Sequence, residues 1–164
     1  MKLSDFDIDF IKFKNEKDTV RFKVDDTFFQ LKENSLYDRG EIDIEIQCEK
    51  NESTLTLDYK LDGYVNSQCE RCLKDIKMSV ASERNEVLKL TLDDELLKEE
   101  NYLNVNHQIY PAYDSIYEQI CLSMPSRLIC ENSTKNKECK IDHPETTADD
   151  VVDERWAELK KLIK

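Results

Sequence analysis

Glu41-Ile-Asp-Ile-Glu-Ile-Gln-Cys-Glu49 alternates strictly, with Ile42, Ile44, Ile46 and Cys48 on one side and Glu41, Asp43, Glu45, Gln47 and Glu49 on the other. Successive side chains of an extended backbone point to opposite faces, so this stretch predicts a strand with one buried and one solvated face. After a polar turn at Lys50–Ser53, Leu55, Leu57, Tyr59 and Leu61 repeat the pattern, and the two runs read as an antiparallel hairpin. Gly63 is the expected place for a bulge. A third run holds Ile76, Met78, Val80, Leu88, Leu90 and Leu92 in one phase, around a polar middle at Arg84 that is expected to bend away from the core. Shorter alternations, Phe6/Ile8/Phe10 and Val20/Phe22/Val24, add two strands near the N-terminus.

Farther along, the period changes from two to that of a helix. Tyr113, Ile116, Tyr117, Ile120, Cys121 and Met124 form an amphipathic stripe between Pro111 and Pro125, which suit its start and its end. A second helix, entered near Asp150 or Asp153, presents Trp156, Leu159, Leu162 and Ile163, with Lys160, Lys161 and Lys164 at its negative end. The fold class expected is α+β: a mostly antiparallel sheet or partly closed barrel in the first half, and two helices in the C-terminal half. Residues 1–130, including the 112–124 helix, read as one β-rich domain. Residues 131–150 read as a polar, partly mobile linker, and 151–164 as a C-terminal amphipathic helix.

With 164 residues, the chain has room for one core. Two Gly, at Gly40 and Gly63, cannot build a P-loop or a dinucleotide-binding turn. Two His, with no GxSxG and no HExxH, leave hydrolase arrangements unsupported, so no catalytic residue, no small-molecule substrate and no enzyme activity are expected. The N-terminal stretch carries Asp5, Asp7 and Asp9 where a secretory signal needs a basic start, and no run is long and apolar enough for a membrane helix. A cytoplasmic protein without a membrane partner is expected.

The net charge is −12, concentrated in Asp93–Glu100 and Glu138–Glu154. Affinity for nucleic acid comes largely from Lys and Arg displacing counterions, so this balance favours a basic protein partner over bare RNA.

Six cysteines in a reducing compartment read as core residues, metal ligands or redox groups. Cys48 and Cys121 lie on apolar faces, where a thiol behaves as a small hydrophobe. Cys69, Cys72, Cys130 and Cys139 fall between elements, where ligands can converge. Cys69-Glu-Arg-Cys72 joins two strands, and a two-residue gap lets both thiolates of a tight turn face one ion. Cys130 and Cys139 supply the second half of a zinc site, with His107 and His143 as substitutes. Thiol redox chemistry is the alternative, although a pair joining two strands lacks the helix N-terminus that usually activates such a thiol. Arg71, Lys74 and Lys77 are the candidate partner-binding cations.

Taken in order, Cys69-Glu-Arg-Cys72-Leu73, Ile116-Tyr117-Glu118, Leu122-Ser123-Met124-Pro125 and Asp153-Glu154-Arg155-Trp156 resemble the YceD family of large ribosomal RNA subunit accumulation proteins, in a Bacteroidetes-like form. Asp26-Thr-Phe-Phe29 adds to the likeness, while Met124 and Glu154 depart from the residues common in the family. The resemblance implies a bacterial cytosolic factor needed for 23S rRNA accumulation or processing, with a ribosomal protein or a 23S rRNA precursor as partner. It also implies further ligands after the helix, at Cys130 and Cys139. A scaffold unrelated to ribosomes is the remaining alternative.

Overall fold

A computed structural model describes residues 1–10, 13, 17–99, 101–106, 109–134 and 139. The expected hairpin is the centre of an open five-stranded sheet. Strands β2 (Lys17–Val24), β3 (Arg39–Lys50), β4 (Thr54–Gln68), β5 (Asp75–Thr91) and β6 (Tyr102–Asn104) lie in that spatial order. All pairs are antiparallel except β5 with β6. A separate two-stranded ribbon joins β1 (Asp7–Asp9) to β7 (Ile109–Pro111). The helices are α1 (Asp26–Gln30) and α2 (Tyr113–Ser123).

The alternating residues do what their period dictates. Ile42, Ile44, Ile46 and Cys48 of β3 are buried together with Leu55, Leu57, Tyr59 and Leu61 of β4 and Val80 and Leu88 of β5. Across this face lie Phe6, Ile8 and Phe10, then Phe28 and Phe29 of α1, and Tyr113, Ile116, Tyr117 and Ile120 of α2. Phe6, Phe28 and Tyr113 form an aromatic knot, with ring centroids 4.6–5.9 Å apart. On the solvated face, Lys17, Arg21 and Lys23 of the edge strand pair with Glu49, Glu45 and Glu41 at 2.8–2.9 Å. These pairs set cross-strand register and add little stability, because both partners stay in water.

Several expectations change. No bulge occurs at Gly63: the register runs unbroken through Ile42↔Gly63 and Gly63↔Val80. The glycine serves close approach instead, since a Cβ there would sit 2.2 Å from the Glu41 carbonyl oxygen and 2.6 Å from the Ile42 Cα. Nor does β5 bend away at Arg84, which lies opposite Tyr59 in an uninterrupted ladder. The polar middle stays in the strand because polar partners meet it. Tyr110 Oη donates to the Glu86 carboxylate at 3.3 Å and shares a 2.7 Å hydrogen bond with Ser115, and Gln119 Nε2 donates to Ser82 Oγ. Leu92, one of the six residues read as buried in this run, is 67% exposed. Pro111 belongs to β7, and the helix starts two residues later at Tyr113.

The helix α1 was not expected. Asp25 caps it by accepting from Thr27 N–H at 2.9 Å, and Asp26 accepts from Gly40 N–H at 3.0 Å. Five residues are too few to show a helical period, so the cap is its only local signal. The helix expected over 151–164, His107 and His143 lie outside the described residues. Of the segment read as a linker, only 131–134 and Cys139 are described, and its start is tied to β5, as set out below.

Candidate metal centre

The turn between β4 and β5 is built to present two sulfurs. Cys69 N–H donates to the Lys74 carbonyl and Leu73 N–H to the Cys69 carbonyl, both at 2.8 Å. Closing so tight a turn places Leu73 in the left-handed region, with φ 58°. That conformation crowds a Cβ and is ordinarily left to glycine.

The chain returns to this turn after α2. Glu70 N–H donates to the Leu128 carbonyl at 2.8 Å, and Leu128 N–H donates back to Glu70 Oε1 at 3.2 Å. A single 3-10 turn, Cys130–Asn132, follows. The Lys77 carbonyl of β5 then accepts from Ser133 Oγ, Thr134 N–H and Thr134 Oγ1, all at 3.0–3.1 Å. These bonds lay Cys130 against the knuckle. Arg71, between the first two cysteines, closes over the joint with a 3.0 Å ion pair to Glu131.

All four sulfurs of Cys69, Cys72, Cys130 and Cys139 lie within 4.8 Å of one another. Cys72 approaches Cys130 to 3.4 Å, and Cys69 approaches Cys139 to 3.8 Å. A tetrahedral ion with bonds of about 2.3 Å to sulfur holds its ligands about 3.8 Å apart, so the cluster has the dimensions to hold one ion. All four cysteines are free thiols. Cys69 and Cys130 are fully buried, and Cys72 and Cys139 half-buried, in a second small core with Ile76 and Met78, flanked by Met124, Leu128 and Ile129.

The electrostatics are those of a shared anionic site. Burial opposes ionisation of Cys69, yet the backbone N–H groups of Cys72, Arg71 and Cys130 bring its thiol down to about 6. Burial, followed by the neighbouring sulfurs, pushes Cys130 up to about 12, and burial raises Cys139 as well. Without a cation the cluster therefore sets the ready thiolate of Cys69 beside the reluctant thiols of Cys130 and Cys139. A divalent ion would offset their mutual repulsion, and an all-sulfur donor set is one that zinc accepts. Cys48 differs: it sits in the main core, and burial alone is the leading cause of a thiol raised to about 12. Cys121 is half-buried against the same core.

The three cations named as partner contacts differ in their surroundings. Arg71 is held by Glu131, and Lys77 Nζ stands 3.0 Å from the centroid of the Tyr64 ring, while Lys74 is exposed. Sequence reasoning missed the Glu70–Leu128 clasp and the Ser133–Thr134 anchor. Each joins a side-chain group to a main-chain group far away in the sequence, and the main-chain half leaves no residue-type signal.

Among the described residues, no helix is long and apolar enough to cross a membrane. No curated protein and no solved structure matches the chain. A family model described as large ribosomal RNA subunit accumulation protein YceD matches residues 57–163, a span that opens inside β4 and takes in all four clustered cysteines. With well over half its length under that match, and the knuckle and helix end that carry the likeness inside it, the chain belongs to the YceD family, which gives it a role related to ribosome biogenesis.

Proposed function

We propose that the protein is a non-catalytic binding factor in large ribosomal subunit assembly, which supports 23S rRNA by engaging a basic ribosomal protein, and that one zinc ion on Cys69, Cys72, Cys130 and Cys139 fixes its docking end. The observation that carries the metal is the gathering of four sulfurs from two distant segments within 4.8 Å. Zinc there would supply structural cross-linking, joining the β4–β5 turn to the chain that returns from α2. The protein route to rRNA is favoured over direct contact by the net charge of −12 and by the occupation of Arg71 and Lys77 within the fold.

Tagged protein should recover a large-subunit ribosomal protein from nuclease-treated precursors. Complete loss after nuclease would point instead to direct RNA binding. Fresh, tag-free protein should contain one zinc per chain, and well below one equivalent would remove the metal.

Thiol redox chemistry draws on the low Cys69 pKa of about 6. The same depression serves a metal ligand, and sulfur contacts of 3.4 and 3.8 Å join each cysteine of the turn to one from the other segment. We therefore favour the metal.

A further inference from the structure

Beside the thiol cluster, where β3 has stopped and β4 runs on, lies a cavity of about 660 Å³. The β3–β4 ladder ends at Arg39↔Asn66, whereas β4 remains paired with β5 as far as Gln68↔Asp75. The Cys69 N–H bond to Lys74 sets the alternation of the β4–β5 ladder, so Ser67 bonds toward β5 and Gln68 alone turns its N–H and C=O to the side where β3 has ended, with no strand partner there among the described residues. The next main-chain neighbour bounding the cavity is Leu128, clasped to Glu70. Among the described residues, no strand lies beside Gln68 between β3 and Leu128. An edge of this kind offers backbone donors and acceptors to an incoming extended chain.

The walls specify that chain. Asp38, Glu70 and Asp75 line the cavity against a single cation, Arg39. Leu36, 73% exposed, and Leu128 supply apolar surface at its sides. A phosphate backbone would be repelled here, and a neutral apolar segment would leave the carboxylates unmatched. The other large depression, about 440 Å³ on the solvated face, is also acidic, with Glu45, Asp58 and Glu83. There, however, two cations, Lys60 and Arg84, stand among the carboxylates, and no leucine lines the wall.

We propose that the cavity at the end of β4 takes an extended, arginine- and lysine-rich segment of a partner protein. That segment would pair with the main chain of Gln68, set cationic side chains on Asp38 and Asp75, and rest an apolar residue on Leu36 and Leu128. The partner's chemistry rests on the basic ribosomal protein proposed above, while the location rests on the open edge and the walls.

The test is fluorescence anisotropy of a labelled peptide of alternating arginine and valine, with the full-length protein. Wild type binds it. The double variant Asp38→Asn, Asp75→Asn weakens binding about tenfold, the scale of losing close charge partners. Leu36→Ala weakens it about threefold, and Asp58→Asn with Glu83→Asn, the same charge change in the other depression, leaves it within about twofold. Glu70 is left intact because it holds Leu128. Absence of peptide binding, equal losses from the two double variants, or displacement of the peptide from the groove by single-stranded RNA would each overturn the proposal. If a ribosomal protein is still recovered from nuclease-treated precursors by the Asp38→Asn, Asp75→Asn protein, the partner stands and the groove falls.

Discussion

The molecule has two cores that use the same residue type in opposite ways. Under the sheet, Cys48 is one small apolar filler among isoleucines, leucines and phenylalanines, and burial holds it as a thiol. At the end of β4, Cys69 lies equally buried, but backbone N–H groups converge on its sulfur and three other cysteines surround it. Burial thus does not decide what a cysteine does. The hydrogen-bond donors and sulfurs around it do.

If the two cores are independent in origin, they should fail in different ways. The largest effect is expected from Cys130→Ser, which removes a fully buried ligand: zinc content falls from one per chain to near zero, and the post-helix segment loosens, read by elemental analysis and hydrogen exchange at Ser133 and Thr134. Leu57→Ala in the main core should cost about 2–5 kcal/mol in denaturant unfolding while zinc content stays at one per chain. Zinc loss in that variant would mean that the cores are not separable.

Smaller changes sharpen the contrast. Gly63→Ala forces a Cβ onto the Glu41 carbonyl and should destabilise by about 1–3 kcal/mol, again without loss of metal. Leu73→Gly relieves the left-handed strain of the knuckle and should raise stability by about 1 kcal/mol in thermal melts. Last comes pH. The folded-state pKa of Cys69, about 6, lies below the ordinary thiol range. Its contribution to the metal-free fold is therefore complete above the unfolded value of about 8.5 and is lost as pH falls through about 6. Thiolate absorbance of reduced, metal-free protein should show one sulfur titrating in that lower range, and Cys69→Ser should abolish it. Cys130, raised to about 12, works in the opposite direction, favouring the fold below the unfolded value and losing that contribution as pH rises.

Much of the main core was legible beforehand because a period of two over nine residues leaves little choice of face. Ile42, Ile44, Ile46 and Cys48 are buried as their spacing requires, and the stripe from Tyr113 to Ile120 turns inward on α2. Shorter elements carry too few repeats: β6 and β7 have three residues each, and α1 five. The polar run Ser82, Arg84, Glu86 misled for another reason. Polar spacing cannot reveal that Tyr110, Ser115 and Gln119, far along the chain, will be there to satisfy it.

The site divides along the same line. The two-residue gap of Cys69 and Cys72 fixes half of the sulfur cluster locally, because a tight turn can aim two neighbouring sulfurs at one point. Bringing Cys130 and Cys139 to that point depends on Leu128 meeting Glu70 and on Ser133 and Thr134 meeting the Lys77 carbonyl. The sequence alone determined which side chains prefer water and which sulfurs share a turn, since both are properties of neighbours along the chain. Only the tertiary structure decided which sulfurs meet and where, among the described residues, a sheet edge has no strand beside it, since those contacts join segments far apart in the chain and half of each is a main-chain atom, alike in every residue.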